Sequence, residues 1–141
     1  MNNILHFTCS KCPCNQHKTF LNCKGNPTQF KVQCPDIDSS RITELEVSHQ
    51  NITTLESNLF STFDNLIKLD LSFNNITSIS NGVLKGLEKL DFLDLSGNTN
   101  MKSITSGALD NLMRISYINL SNTKMKRYTW FWNKNCILDF C

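Results

Sequence analysis

Apolar residues recur along this chain with a fixed period of 24 residues. The two clearest copies share apolar residues at relative positions 1, 4 and 6 and an asparagine at position 9: Leu66, Leu69, Leu71 and Asn74, then Leu90, Leu93, Leu95 and Asn98. Because residues two apart in a strand share a face, Leu69 and Leu71 predict a short strand with one buried face. The asparagine follows where the chain leaves the strand, and its amide can bond loop backbone groups. Stacked copies would share one apolar core and an asparagine ladder.

The same pattern predicts four repeats between residues 42 and 125. Their first residues are spaced by 24, 24 and 25 positions: Ile42, Leu66, Leu90 and Ile115. Gln50 and Thr123 replace the ladder asparagine in the first and last repeats. Three intervening segments carry apolar residues three apart, which suits a short helical or 3₁₀ turn: residues 57–63, 81–87 and 106–112. We therefore predict an α/β solenoid with a short parallel sheet on its concave face and irregular or 3₁₀ segments on its convex side. Residues 1–41 form one cap and residues 126–141 another, which is either truncated or reduced.

The composition is that of one folded domain. Charged residues make up 18% and hydrophobic residues 40% of the 141 positions, which argues against disorder. No apolar run approaches the ~20 residues of a membrane helix, and residues 1–10 lack the apolar core of a signal peptide, so a signal is expected to have been removed or never present. The net charge of +2 combines −5 over residues 42–113 with +3 and +4 over the two ends. An acidic middle between basic ends excludes a nucleic-acid footprint.

The seven cysteines lie only near the two ends of the chain: Cys9, Cys12, Cys14, Cys23 and Cys34, then Cys136 and Cys141. This distribution predicts disulfide-bonded caps around a middle that needs none. Zinc is the alternative, with Cys9 and Cys12 joined by Cys14 or Cys23 and a nearby histidine, although a second C-x2-C or a histidine pair is missing. Within the first cap, residues 30–32 alternate and predict a strand that covers the exposed edge of the first repeat.

Residues 42–125 resemble the 24-residue extracellular form of the leucine-rich repeat family. The cysteines at positions 9–23 are similar to the N-terminal caps of Toll-like receptors, Slit-like proteins and small leucine-rich proteoglycans. This resemblance implies disulfides Cys9–Cys14 and Cys12–Cys23, while the additional Cys34 leaves a Cys23–Cys34 bond as an alternative. The family's C-terminal cap usually has four cysteines, of which two have counterparts here. The resemblance also implies a secreted or cell-surface protein, like a receptor ectodomain in innate immunity or cell-surface recognition.

Strand residues between the leucines are expected on the concave face, in columns. One column is an acidic stripe that ends in an amide: Glu46, Asp70, Asp94 and Asn119. A second column is mixed: Glu44, Lys68, Phe92 and Tyr117. Two aromatic residues, Phe73 and His49, lie across the stripe. Aromatic side chains beside aligned charge predict a protein-binding surface. The alternative is that the aspartates have a structural role, since Leu-Asp-Leu-Ser is the commonest sequence of this repeat. Four strands make a face of only ~300–400 Å², against ~800 Å² per partner in a standard interface. A firm partner would also touch the caps, the lateral edge or a second copy of the chain.

Three N-x-[S/T] sequons occur, at Asn51, Asn75 and Asn119. The first two occupy equivalent loop positions, and we predict glycans there, whereas a glycan on Asn119 would obstruct the concave face. Residues 124–127 contain a basic cluster, which would meet an acidic glycan or lipid head group or be a solvated cap surface.

These features predict an extracellular protein-binding module. Its partner would be a protein ligand or co-receptor, and we include homodimers and heterodimers among the expected assemblies. One alternative is a truncated or decoy fragment that pairs with a longer relative, and another is an intracellular scaffold with a zinc-bound cap. Catalysis is not predicted, because the serines and His49 occupy repeat positions and neither a G-x-S-x-G nor a glycine-rich phosphate loop occurs. We predict no metal and no cofactor.

Overall fold

The computed structural model describes residues 38–126 with their side chains and three further strands, at residues 14–17, 20–23 and 137–139, by their backbone. Two sheets are present in this part of the chain. The larger has seven strands: β1 (Cys14–His17), β2 (Phe20–Cys23), β3 (Glu44–Glu46), β4 (Lys68–Asp70), β6 (Phe92–Asp94), β8 (Tyr117–Asn119) and β9 (Ile137–Asp139). The smaller pairs two strands: β5 (Ser78–Ile79) and β7 (Ser103–Ile104).

The register of the larger sheet follows the repeat. β1 and β2 form an antiparallel hairpin, and every later neighbour in the order β2, β3, β4, β6, β8 and β9 is parallel. The central residue of each parallel strand is paired with the next: Leu21, Leu45, Leu69, Leu93, Ile118 and Leu138. The predicted parallel sheet is therefore observed, with the interior leucine column that period-2 alternation required.

One apolar core runs along the described repeats. Leu45, Leu69, Leu93 and Ile118 are all buried beneath the sheet. The outer segments complete this core, because Phe60, Phe63, Leu84, Leu87, Leu109 and Leu112 are buried as well. The side chains that share the 24-residue period are thus those removed from water, which is the main source of stability in a solenoid.

The convex segments are turns rather than helices. They contain isolated i→i+3 backbone hydrogen bonds of the 3₁₀ type, such as Phe63 N–H to the carbonyl of Phe60 at 3.0 Å. Asn58, Gly82 and Gly107 occupy equivalent positions and have φ of 61°, 86° and 83°. Left-handed residues interrupt a helical run, because a right-handed helix needs successive residues at negative φ. In the described residues, the only 3₁₀ helix is Ser39–Arg41, before the first repeat.

The asparagine ladder is present and reaches one row back along the chain. The Asn74 Oδ1 accepts backbone N–H bonds from Gln50 at 2.9 Å and Ile52 at 3.1 Å. Its Nδ2 donates to three carbonyls, those of Val47, Leu71 and Ser72, at 2.8, 3.0 and 3.2 Å. Asn98 repeats this with fewer bonds: its Oδ1 accepts from Ile76, and its Nδ2 donates to Leu71 and Leu95.

The two substitutes in the ladder make bonds close to their own positions. The Gln50 Nε2 donates to the carbonyl of Ser48 at 2.8 Å. The Thr123 hydroxyl donates to the carbonyl of Leu120 at 2.7 Å and accepts from Met125 N–H at 3.3 Å. A hydroxyl has fewer and shorter-reaching groups than an amide. Asn74 and Asn98 make the ladder bonds from one row to the next.

The cap strands complete the sheet at both sides. The strand next to β3 is β2, whereas the strand predicted at residues 30–32 lies outside the described residues, as do the side chains of all seven cysteines. At the other side, β9 is paired with β8 in continuous register. The sequence pattern did not predict either cap strand.

Candidate functional site

The concave face carries the two columns that the sequence predicts. The first, here called the aromatic column, has directly paired neighbours: Glu44, Lys68, Phe92 and Tyr117. The second, the acidic column, lies two residues further along each strand: Glu46, Asp70, Asp94 and Asn119. All eight residues flank the buried leucine column, and each is exposed or half-buried. The structure thus brings together the predicted binding residues of the strands.

The aromatic column is a continuous stack across three rows. The rings of Phe92 and Tyr117 are parallel to within 13°, with centroids 4.9 Å apart. The Lys68 Nζ lies 5.4 Å from the centroid of Phe92, within cation–π range. Phe92 therefore has a neighbour in the row on either side of it. Three side chains restrict one another before any partner arrives.

Three of the four residues of the acidic column accept a hydrogen bond from a backbone N–H of their own row. Asp70 Oδ1 accepts the N–H of Ser72 at 2.9 Å, and Asp94 Oδ1 accepts the N–H of Ser96 at 2.8 Å. Asn119 does the same for Ser121 at 3.1 Å. These bonds hold the chain where it turns off the strand, so the two aspartates have a structural role. Asp94 Oδ2 also accepts from Asn119 Nδ2 at 3.2 Å, which joins two rows.

A third column lies where the chain turns off the strands, and we call it the turn column: His49, Phe73, Gly97 and Asn122. All four have left-handed backbone, with φ of 58°, 52°, 69° and 55°. Glycine and asparagine adopt this region readily, but a bulky phenylalanine rarely does. The left-handed backbone of Phe73 therefore costs about 1–3 kcal/mol of strain.

Phe73 is held between the rows on either side of it. Its ring stacks on that of His49 at a centroid distance of 4.6 Å and an angle of 4°. On the other side it lies over Gly97, where a Cβ would be only 2.7 Å from Phe73 Cδ1. Even so, Phe73 is 54% exposed. The other large exposed apolar residues in the described part, Ile67 and Met113, lie outside the three columns.

Residues 40–99 match the family model for leucine rich repeats. Leucine-rich repeat domains generally mediate protein–protein interaction and are typically non-enzymatic. The match and the parallel strands together support a leucine-rich repeat solenoid. The number of repeats, the disulfide-bonded caps and the extracellular subtype stay predictions. No curated protein matches this chain.

The sequons occupy three different environments. Asn51 is exposed and left-handed, with φ of 54°. Asn75 is half-buried, and its Oδ1 accepts from Asn100 Nδ2 at 2.8 Å. Asn119 is half-buried in the acidic column, where both of its amide atoms are bonded. The structure thus leaves Asn51 the most accessible.

Metal, membrane and basic-cluster features add little to the candidate site. No three His, Cys, Asp or Glu side chains come together as metal ligands within the described residues. The described part of the chain contains no helix long and apolar enough to cross a bilayer. In the basic cluster, Lys124 Nζ donates to Asn100 Oδ1 at 3.2 Å and Lys126 is exposed, while residue 127 lies outside the described part.

Two rows of the concave face were missed from the sequence. Residues 20–22 are paired with β3, and residues 137–139 are paired with β8. The sequence contained a sign of the last row, because Ile137-Leu138-Asp139 has the same order of apolar, apolar and acidic residues as Phe92-Leu93-Asp94. Only 20 residues separate Leu138 from Ile118, so a search for a period of 24 passes over it. The left-handed turn column was also missed, although Gly97 was a local sign of positive φ.

Proposed function

We propose that this protein is an extracellular recognition module that binds another protein through the concave face of its solenoid. Its partner is a protein ligand or a co-receptor, and the binding residues are those of the aromatic, acidic and turn columns. The leucine-rich repeat match supports the general class of function, because such domains mediate protein–protein interaction. The cysteine-rich ends and the sequons support the extracellular setting.

The exposure of Phe73 is the observation that carries the proposal. A phenylalanine in left-handed backbone costs stability, and an exposed ring recovers little of that cost by burial. Backbone strain of this kind concentrates at ligand-binding positions. Exposed aromatic side chains are also a residue type that often anchors protein interfaces.

Rigid display is the mechanism that these contacts support. The side chains of Lys68, Phe92 and Tyr117 restrict one another, and Phe73 is confined by His49 and Gly97. Binding usually costs about 0.5–1.5 kcal/mol for each side chain that becomes ordered. Side chains already ordered in the free protein avoid most of this cost, which favours a useful affinity from a small face.

The test compares three forms of the folded domain immobilised on beads. The triple variant Phe73→Ser, Phe92→Ser, Tyr117→Ser removes the aromatic anchors, and the control variant Ile67→Ser, Met113→Ser removes exposed apolar residues elsewhere. Proteins retained from extracellular fluid are identified by mass spectrometry. We expect a specific protein to bind the wild type and the control but not the triple variant. Equal retention by a folded triple variant would overturn the proposal.

The extracellular setting has its own test, independent of any partner. Free thiols are counted under denaturing conditions in protein purified without reductant. Three disulfides leave one of the seven cysteines titratable, which is the expected result. Seven titratable thiols would contradict oxidised caps and favour the intracellular alternative.

A further inference from the structure

Both cap strands continue the columns of the concave face. Phe20 is paired with Glu44 and Ile137 with Tyr117, so these residues extend the aromatic column at its two ends. In the same way, Asn22 is paired with Glu46, and Asp139 with Asn119. Paired residues in a pleated sheet share a face. The concave face therefore has six parallel rows rather than four.

The sequences of the added rows fit this placement. The triplet Phe20-Leu21-Asn22 is aromatic, apolar and amide, as is Tyr117-Ile118-Asn119. The central residue of each added triplet stands in the leucine column, which places its two neighbours in the columns of the opposite face. An apolar residue followed by a polar one thus occupies the last two positions of every row from β2 to β9.

Resting on the function proposed above, we propose that the binding surface extends across β2 and β9 and takes a basic, partly apolar protein surface. Phe20, Asn22, Ile137 and Asp139 are then binding residues and more than cap residues. Recognition by this protein would depend on its caps as well as on its repeats.

The extra rows change the size of the face. Three spacings of ~4.8 Å separate four strands, and five spacings, ~24 Å in all, separate six. The area rises in the same proportion, from ~300–400 Å² to ~500–670 Å². An interface of ~1,000–1,300 Å² over both partners reaches the low end of specific complexes, where transient signalling contacts lie. Six rows are therefore enough for a specific transient partner.

Charge indicates what kind of partner fits. The six rows of the two columns hold one cation, Lys68, and five carboxylates: Glu44, Glu46, Asp70, Asp94 and Asp139. The chain as a whole carries +2, so the face has the opposite sign to the molecule. Complementary charge steers encounter and suppresses like-charged partners. A partner with basic residues around an apolar centre complements both columns.

A metal ion is a poorer occupant than a protein. Within the described residues, no cluster of three potential ligands exists. Asp70 and Asp94 each also commit one oxygen to a serine N–H. Carboxylates in a row, one strand spacing apart, face a surface better than they enclose a small ion.

The test uses two synthetic peptides of equal length and apolar content, one with three arginines and the other with three glutamates at the same positions. Binding to the folded protein is measured by fluorescence anisotropy at low and high salt. The cap variants are Phe20→Ser and Asp139→Asn, the concave variant is Phe73→Ser, and Met113→Ser is the control. Circular dichroism confirms that each variant is folded.

We expect the arginine peptide to bind more tightly than the glutamate peptide, and added salt to weaken it. Each cap variant should weaken binding about fivefold or more, as expected for an interface residue that contributes to the binding free energy. The control should not weaken binding. If Phe73→Ser weakens binding but neither cap variant does, the extension is wrong and the concave-face proposal stands. If the two peptides bind alike, the basic partner is wrong. If only Met113→Ser weakens binding, both proposals fail.

A separate observation concerns the first cap. Cys14 and Cys23 are directly paired in the antiparallel hairpin of β1 and β2. Directly paired residues have Cα atoms ~4.5–5.5 Å apart, and disulfides span ~4.4–6.8 Å. We infer that Cys14 and Cys23 form a disulfide, in place of the Cys9–Cys14 and Cys12–Cys23 bonds that the family resemblance implies. Two thiols lose two protons and two electrons to a disulfide oxidant such as oxidised glutathione.

Trypsin provides a direct test, because it releases residues 12–18 and residues 19–24 as separate peptides. The unreduced, thiol-blocked protein is digested and the linked peptides are analysed by mass spectrometry. We expect a disulfide link between these two peptides that persists in Cys12→Ser and disappears in Cys14→Ser. In the linked wild-type pair, fragment ions should contain Cys12 without a link to the other peptide. A link that instead depends on Cys12, or one from residues 19–24 to the peptide containing Cys34, overturns the assignment.

Discussion

Replacing Asn74 by alanine tests the asparagine ladder at the residue that makes the most ladder hydrogen bonds. The Asn74 amide accepts two backbone N–H bonds, from Gln50 and Ile52, and donates to three carbonyls. The residue is buried, so the N–H groups left behind in Asn74→Ala have little access to water. Every buried side-chain nitrogen and oxygen in the described residues has a partner in the wild type. The substitution therefore removes the acceptor of two buried backbone N–H groups, those of Gln50 and Ile52.

The magnitude follows from those groups. A buried donor left without an acceptor costs about 1–3 kcal/mol, so two of them cost about 2–6 kcal/mol. A carbonyl keeps a second lone pair and loses less, and a water molecule that enters the space recovers part of the loss. We expect Asn74→Ala to lower the free energy of unfolding by about 3–5 kcal/mol, a large part of the ~5–15 kcal/mol that holds a typical domain. Asn98→Ala frees only one N–H, that of Ile76, and should cost about 1–3 kcal/mol.

Urea unfolding followed by circular dichroism gives these values by linear extrapolation, and an unchanged m-value confirms that the folded and unfolded states are the same. Asn100→Ala is the matched control, because Asn100 is exposed and bonds only the exposed ends of Asn75 and Lys124. It should fall within ~0.5 kcal/mol of the wild type. If Asn74→Ala is as mild as the control, or if Asn98→Ala costs more than Asn74→Ala, the ladder does not hold the rows as argued.

Three further predictions concern single positions. Gly97→Ala should lower the free energy of unfolding by about 1–3 kcal/mol, because φ is +69° and the new Cβ would press on Phe73. In a Phe73→Ser background this loss should fall to about 1 kcal/mol. Urea unfolding of the double-mutant cycle measures both values. Phe73→Gly should be more stable than Phe73→Ala by about 1 kcal/mol, because only glycine is free of the left-handed penalty at φ +52°, and the same assay checks it. Secretion from eukaryotic cells should attach a glycan to Asn51 and less completely to Asn75, which is half-buried and bonded, and mass spectrometry of Asn51→Gln and Asn75→Gln measures the occupancy.

Each of these has a clear contrary result. An undiminished cost of Gly97→Ala in the Phe73→Ser background would mean that the ring does not press on this position. Phe73→Gly below Phe73→Ala in stability would mean that the backbone there is not left-handed in solution. A secreted protein without glycan at either sequon, despite export, would remove the sequons from the support for an extracellular setting.

The sequence by itself determined the interior and most of the face. The spacing of Leu69, Leu71 and Asn74 fixed a strand, a buried side and a ladder, since period-2 alternation and amide bonding are local properties of the chain. Once the period was known, the column neighbours Lys68 and Phe92 followed by counting. The structure reproduces these columns, and the functional role of their residues stays a prediction.

Tertiary structure alone decided what the caps and the turns contribute. The pairing of β2 and β9 with the repeats follows from a register between strands, which no single period in the sequence encodes. The stacking of Phe73 on His49 and its contact with Gly97 depend on three rows lying one strand spacing apart. Residues 24 positions apart in sequence become neighbours only when the solenoid forms. Local patterns therefore gave the rows, and the packing of one row on the next decided which exposed side chains stand together.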